Sequence, residues 1–283
     1  RGMFWTGSAF ALQVLTTLVF YRFLGAAPMG GFEWALIIVM LLALASDLGL
    51  GSALVQDRDA GENCFNAAFW TALVLGLTVT VTVIWTAPVI GSWVAHDDAR
   101  FVPILSVLVL LVPFAAVSGV FRALLQRELR WRAMAAAEIA SSVAHAASAF
   151  SLLWAGYEVM SAVYSAVLRE LALLLGLAIA GRWLPGWSFH ANDLRRIVGF
   201  GLHLTGSRCI SYLNSNLASF VIYPLLGPEA LGYFRLAYRL TLMPLVRVST
   251  VIMRVFFPTF SAIQQDDDLL RRAYLRSVQA VAL

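Results

Sequence analysis

Four arginines lie along one apolar segment near the end of the sequence, where the hydrocarbon of a membrane makes a charged side chain costly. At 100° per residue, their side chains fall within a helical sector of about 120°, and the remaining surface is Leu, Val, Met and Phe. Arg235 and Arg254 lie near the ends of the segment, so their guanidinium groups can extend to the lipid headgroups. Arg239 and Arg247 lie deeper. We therefore predict that Arg239 and Arg247 face a water-filled cavity that binds an anion.

Arg208 lies in the preceding apolar segment, within a run that is unusually polar for a membrane helix. The polar neighbours in this run are Thr205, Ser207, Ser211, Asn214, Ser215 and Asn216. Such a run suits the wall of a cavity. It also suits hydrogen bonding between helices, which contributes only about 0.6 kcal/mol per contact. The sequence leaves both interpretations open, and Arg208 is kept as a candidate substrate-binding residue.

Further ionisable residues fall within or beside other apolar segments. Arg169, another candidate for substrate binding, precedes Glu170, but neighbours on a helix point about 100° apart and need not pair. Asp47 follows an apolar segment, where an acid is most often structural. Asp47 and Glu170 are also candidates for gating or ion coupling. His145 could carry a proton, although a lone buried histidine is more often simply hydrogen bonded.

The sequence shows no pattern typical of catalysis: no paired carboxylates, no Walker-type glycine loop and no nucleophile elbow. Cys64 and Cys209 give neither a disulfide framework nor the spacing of metal ligands. No basic patch is interleaved with aromatic residues, as single-stranded nucleic acids require. We therefore expect a protein that is not an enzyme, uses no cofactor or metal and binds no nucleic acid.

The elements that must position these residues are membrane-spanning helices. About 60% of the residues are hydrophobic and 13% are charged, against roughly 45–50% and 25% in a soluble domain. Stretches of about 20 residues with almost no charge are long enough to cross a bilayer as helices. The predicted spans are Met3–Phe23, Phe32–Leu50, Ala67–Ile90, Val102–Phe121, Ala133–Trp154, Val159–Ala180, Ile197–Leu226 and Tyr233–Phe257, and a ninth begins near Tyr274.

A long internal repeat divides the chain. At an offset of about 202 residues, the stretch 24–32 between spans one and two aligns with the stretch 226–234 between spans seven and eight. An even number of helices separates the two, so the repeats have the same orientation, related by a pseudo-twofold axis along the membrane normal. We predict a first six-helix bundle over residues 1–196 and the start of a second over residues 197–283, in a fragment of a longer protein.

Loop arginines orient the spans. With the N-terminus in the cytoplasm, the inner loops hold 11 arginines, whereas the outer face holds 3, namely Arg22, Arg100 and Arg235. Short loops rich in arginine remain on the cytoplasmic side. The sequence therefore predicts a multi-pass membrane protein with a cytoplasmic N-terminus.

Several motifs resemble the polysaccharide-export flippases of the Wzx type, which share a superfamily with multidrug-and-toxin extruders and lipid II flippases. The motifs are Asp47–Gln56 (DLGLGSALVQ), Arg122–Arg127 (RALLQR), Leu226–Phe234 (LGPEALGYF), Leu236–Leu240 (LAYRL) and Arg271–Arg276 (RRAYLR). The set covers essentially the whole chain, although each motif alone is weak. The chain departs from the family in having Ala218 and Pro224 where an acid and an arginine are common, and Arg247 where an uncharged polar residue is expected.

The resemblance implies an all-α membrane protein of 12 to 14 helices, of which about 8–9 are present, in two lobes around a central cationic cavity. It implies an undecaprenyl-pyrophosphate-linked oligosaccharide as the substrate, moved from the inner to the outer leaflet of the bacterial inner membrane. Membrane lipid, a polysaccharide polymerase and chain-length proteins are the partners implied. The alternatives are ion-coupled efflux of small molecules on the same fold, and a membrane enzyme such as a polymerase or acyltransferase.

Overall fold

The computed structural model describes the backbone of residues 2–57, 61–94, 100–187 and 191–262, and the side chains of residues 12–57, 61–92, 100–187, 199 and 201–242. Every regular element within these ranges is a helix. The helices are α1 (Gly2–Leu24), α2 (Ala26–Ser46), α3 (Leu50–Gln56), α4 (Glu62–Val94), α5 (Phe101–Leu108), α6 (Leu111–Arg127), α7 (Trp131–Trp154), α8 (Val159–Gly181) and α9 (Ala191–Ala262). The predicted all-helical fold is confirmed.

Length and composition make 6 helical segments of the described chain able to cross a membrane, and a shorter apolar helix covers Leu12–Leu24. The predicted fourth span is α5 and α6 together, since Phe101–Arg127 forms one such segment. The predicted seventh and eighth spans are joined in α9, which is non-helical only at Gly227. The short helix α3 was not predicted, and the ninth predicted span lies outside the described residues.

Pro113 explains the break between α5 and α6. Its ring nitrogen has no hydrogen to donate to the carbonyl of Val109, four residues earlier. That carbonyl instead accepts the N–H of Val112 at 3.0 Å in a tighter turn. The buried hydroxyl of Thr80 also lies 3.2 Å from it and shares its one hydrogen with the Gly76 carbonyl, 2.8 Å away. Thr80 approaches because Gly76, one turn earlier in α4, leaves space for Pro113: a Cβ on Gly76 would lie 2.7 Å from the Pro113 Cα.

The two repeat turns have the same backbone conformation. Gly25, between α1 and α2, has φ 83° and ψ 174°, and Gly227, at the break in α9, has φ 84° and ψ 178°. Side chains other than glycine are strongly disfavoured at these angles. Helix resumes directly after each glycine, so both predicted connections are shorter than the sequence suggested. We call residues 191–226 of α9 its first arm and residues 228–262 its second arm.

The repeat turns also pack against each other in a reciprocal way. A Cβ on Gly30 would overlap the carbonyl oxygen of Pro228, and a Cβ on Gly232 would overlap the carbonyl oxygen of Ala26. At the repeat offset, Ala26 aligns with Pro228 and Gly30 aligns with Gly232. A contact in which each partner meets the other's equivalent is typical of a twofold axis. A local pseudo-twofold axis therefore passes between the two turns.

Packing divides the chain into two compact units, Arg1–Tyr233 and Phe234–Leu283. Arg239 belongs to the second of these units. The division predicted from the repeat, between residues 196 and 197, is a different boundary and stays a prediction.

Candidate functional site

A sharp corner between α2 and α3 fixes the position of Asp47. The N–H of Asp47 donates to the carbonyl of Ala43, which ends α2. Leu48 and Gly49 then adopt left-handed conformations, with φ 44° and 64°. Leu50 donates back to the carbonyl of Asp47 at 2.9 Å and starts α3. Because a left-handed leucine is strained, the corner needs support from tertiary packing.

Support comes from the first arm of α9. A Cβ on Gly201 would overlap the carbonyl oxygen of Leu48, so the two backbones are in direct contact. Two turns further along the arm, Arg208 reaches back over the corner. One of its terminal nitrogens donates to Ser52 Oγ at 2.7 Å, and the other lies 3.8 Å from Asp47 Oδ2. The structure thus brings together two residues that the sequence placed in unrelated segments.

Asp47 and Arg208 differ in their exposure to solvent. The Asp47 side chain is 21% exposed, whereas the Arg208 side chain is 43% exposed. Burial raises the pKa of the Asp47 carboxyl, and the positive charge of Arg208 opposes that rise. Arg208 therefore favours the charged form of the Asp47 carboxyl group, while its own side chain stays half-exposed.

The first arm of α9 has three faces. Its packed face carries Gly201, Thr205, Asn216, Ser219 and Tyr223, all buried. A second face exposes Ser207, Arg208, Ser211, Asn214 and Ser215. A third exposes Leu202, Ile210, Leu213 and Leu217. Thr205 and Asn216 thus pack against the protein, whereas the polar residues around Arg208 are exposed. Both interpretations of the polar run, as a cavity wall and as a source of hydrogen bonds between helices, stay predictions.

Aromatic contacts hold α2 along the packed face of the first arm. The ring of Trp34 stacks on Tyr223, with centroids 4.9 Å apart and planes 13° apart, and meets the edge of Phe220 at 5.0 Å. Tyr212 donates its hydroxyl hydrogen to the carbonyl of Ile37 at 3.2 Å. These contacts, with the Gly201 contact near one end and the Gly232 contact at the other, form the seam between α2 and α9.

Arg169 and Glu170 belong to a different cluster, in which α8 meets α6 and α7. The charges of Arg169 and Arg122 both act on the Glu170 carboxyl group. Arg122 also lies 3.4 Å from the Glu138 carboxylate of α7. The two neighbours in sequence therefore do interact, within a network that links three helices.

His145 forms a bond between helices. Its Nδ1 lies 3.1 Å from the carbonyl oxygen of Ser165 in α8, so the tautomer with hydrogen on Nδ1 donates there. This contact supports a packing role for His145 more than a proton-carrying one.

Arg239 is half-buried and belongs to the second unit, whereas Arg208 belongs to the first. Arg247 lies within the bounds of α9, but its side chain is outside the described residues, as is that of Arg254. The predicted grouping of Arg239 and Arg247 with Arg208 stays a prediction.

Sequence reasoning missed two residues. Ser52 accepts a hydrogen bond from Arg208, yet a serine in a glycine-rich stretch carries no signal of its own. Glu33 is 1% exposed in the middle of an apolar stretch of α2. An acid within an apolar span is itself the signal that could have found it.

Among solved structures, the chain has the fold of transporters. It superposes on an inward-facing multidrug resistance MATE family transporter of the MOP superfamily with TM-score 0.69 and 19% identity, over 96% of this chain and 66% of that chain. A MOP superfamily transporter from Pyrococcus furiosus, described as having a binding pocket of reverse polarity, gives TM-score 0.65 and 20% identity over the same shares.

The sequence profile of the family described as "Polysaccharide biosynthesis protein" matches residues 19–283, and the chain belongs to that family. It is 26% identical to the teichuronic acid biosynthesis protein TuaB of Bacillus subtilis (strain 168), over 84% of this chain and 49% of TuaB. It is 26% identical to the lipopolysaccharide biosynthesis protein WzxC of Escherichia coli (strain K12), over 96% of this chain and 55% of WzxC. It is 25% identical to the succinoglycan biosynthesis transport protein ExoT of Rhizobium meliloti (strain 1021), over 97% of this chain and 55% of ExoT. The chain spans about half the length of these relatives.

Proposed function

We propose that the complete protein moves an undecaprenyl-pyrophosphate-linked oligosaccharide from the inner to the outer leaflet of the bacterial inner membrane, by alternating access. The observation that carries this proposal is the half-exposed side chain of Arg208 on a polar face of a helix long and apolar enough to span a membrane. The names of the relatives, which concern teichuronic acid, lipopolysaccharide and succinoglycan biosynthesis and in one case transport, agree with such a cargo.

The physical case begins with the cargo. A pyrophosphate group carries a dense negative charge that does not enter hydrocarbon without a counter-ion. Guanidinium groups match phosphate oxygens with paired N–H donors. Arg208 would hold the pyrophosphate, and the neutral polar side chains beside it would tolerate water and sugar, while the prenyl chain stays in lipid.

Arg239, Arg247 and Arg169 are proposed as further cations for the same anion, with the second lobe supplying the first two. The cytoplasmic N-terminus and the exchange of cargo with a polymerase and chain-length proteins belong to the same proposal. Gating or ion coupling is assigned to Asp47 and Glu170, because each lies beside an arginine. His145 is a weaker candidate, because a backbone carbonyl already engages its Nδ1.

The first test is made on a strain that lacks the complete gene. Its lipids are extracted, and pyrophosphate-linked oligosaccharides are measured by mass spectrometry and assigned to a leaflet by their access to an impermeant probe. Completed units that accumulate on the cytoplasmic side support the proposal. Units that reach the outer leaflet unpolymerised would instead indicate a polymerase, and unchanged lipids with altered sensitivity to toxic small molecules would indicate efflux.

The second test asks whether the arginine is responsible. Arg208→Gln should reduce export of the polysaccharide strongly at an unchanged protein level, because the amide keeps hydrogen bonding but loses the charge. Arg132→Gln, at the exposed start of α7, is the matched control and should leave export near normal. Normal export by the Arg208→Gln strain would refute the assignment.

A further inference from the structure

Arg208 is held asymmetrically by its two partners. The contact with Ser52 is a short hydrogen bond of 2.7 Å. The contact with Asp47 is an ion pair of 3.8 Å, longer than a hydrogen bond. A guanidinium group has five N–H donors, and among the described side chains Ser52 is the acceptor that engages it directly. Arg208 is therefore restrained by a neutral group and only loosely paired with its counter-ion.

Asp47 is much less free to move than Arg208. It caps α2, and the next two residues have left-handed backbones that pack against Gly201. On its other side, a Cβ on Gly119 of α6 would lie 3.2 Å from Asp47 Oδ1. The long arginine side chain, in contrast, is half-exposed and flexible. When the pair separates, Arg208 is the partner that moves.

The carboxylate of Asp47, like a phosphate group, carries negative charge on oxygens that accept hydrogen bonds from a guanidinium group. It occupies a position next to Arg208 that an anionic ligand would also need. We propose that Asp47 is a positioning residue that competes with the diphosphate of the cargo for Arg208, and that the cargo displaces it. This inference rests on the proposed function and adds an intramolecular competitor to the same site.

Displacement of Asp47 by the cargo would also connect cargo binding with a change in the seam between α2 and α9. Asp47 lies on the corner whose backbone contacts Gly201, and Arg208 lies on the arm that carries Gly201. Loss of the ion pair removes a charged contact across this part of the seam. Binding of the anion therefore weakens the seam at the Asp47 end and leaves the contact of the repeat turns unchanged.

The test uses the complete protein in lipid nanodiscs and inorganic pyrophosphate as the probe, with flipping of the lipid-linked substrate measured in proteoliposomes. Asp47→Asn should bind pyrophosphate about two- to fivefold more tightly than wild type, the range expected for loss of a partly exposed ion pair. Its flipping should show a lower KM and a lower kcat, because a cargo without a competitor is released more slowly. Glu229→Gln, an exposed acid near the Gly227 turn, is the matched control and should change neither quantity.

The variant Ser52→Ala distinguishes loss of the competing carboxylate from a general loosening of the corner between α2 and α3. This variant keeps the carboxylate and loses the neutral restraint, so its affinity for pyrophosphate should stay equal or fall. A rise equal to that of Asp47→Asn would mean that loosening alone is responsible and would overturn the proposal. Asp47→Glu should restore competition and return the affinity toward the wild-type value.

Other outcomes are equally decisive. Unchanged or weaker binding by Asp47→Asn, in a protein of normal thermal stability, would show that Asp47 does not compete with the anion. Should Arg208→Gln bind pyrophosphate as wild type does, the proposed function itself fails. If pyrophosphate binding requires Arg208 but Asp47→Asn does not increase the affinity, only the inference fails. The two failures are therefore distinguishable.

Discussion

The reciprocal glycine contact predicts a matched pair of stability changes. Gly30→Ala and Gly232→Ala each add a methyl group that would overlap a carbonyl oxygen of the opposite repeat turn. These partners are backbone atoms, which cannot rotate away as a side chain can, so the turns must separate. Overpacking of this kind typically costs about 1–3 kcal/mol. Alanine has a higher helix propensity than glycine, and this difference offsets the loss of stability by at most about 1 kcal/mol.

The assay is thermal unfolding of the complete protein in detergent. Both variants should unfold at a lower temperature than wild type, and by similar amounts, because the two sites are equivalent. The double variant should lose less stability than the sum of the single losses, since one separation of the turns accommodates both methyl groups.

Gly206→Ala in the first arm of α9 is the control. A Cβ there meets no described atom within 4 Å, so this variant should be neutral or slightly more stable. The reasoning is refuted if Gly30→Ala and Gly232→Ala behave like Gly206→Ala, because the close approach of the repeat turns would then not exist.

Three further predictions concern single contacts. Thr80→Val should lower stability by about 1 kcal/mol in thermal unfolding, because it removes a buried hydroxyl shared between the Gly76 carbonyl of its own helix and the Val109 carbonyl; Thr78→Val, whose exposed hydroxyl bonds to Val74 of its own helix, should lower stability less. Trp34→Ala should cost about 3–5 kcal/mol by loss of its stacking on Tyr223, and Trp85→Ala, 85% exposed, should cost far less in the same assay. The advantage of Asp47→Asn in pyrophosphate binding should shrink as pH falls. Burial raises the pKa of Asp47 and Arg208 is the charged group that opposes it, so the wild-type carboxyl becomes protonated at low pH and then resembles the amide; an advantage that stays constant with pH would contradict this.

Much of the architecture could be predicted because membrane helices are governed by local rules. The lengths of the apolar stretches predicted where the spans lie. The repeat motif predicted both turns, and the glycines of these turns have nearly the same φ and ψ. The break at Val109 and Leu110 escaped prediction, since a proline within an apolar run is compatible with either a kinked or a broken helix. The short helix α3 escaped it because the glycines beside it indicate only a turn.

The site was predicted as a set of residues without their pairing. Arg208 was singled out within an unusually polar run and Asp47 as an acid at the end of a span, but their separation along the chain hid the fact that they meet. The sequence left open whether Glu170 pairs with Arg169, and in the structure the charges of both Arg169 and Arg122 act on Glu170. Periodicity gives the direction of a side chain from its own helix, and it gives no information about what the neighbouring helix presents.

The sequence by itself determined that this protein spans a membrane with helices, that it repeats itself and that its embedded charge is mainly arginine. Those properties follow from composition and local spacing, which do not depend on distant contacts. Only the tertiary structure decided that Asp47 and Ser52 are the partners of Arg208 and that Gly30 and Gly232 meet across a twofold axis. Such pairings depend on how closely two backbones approach, and that distance is set by the packing of all the helices together.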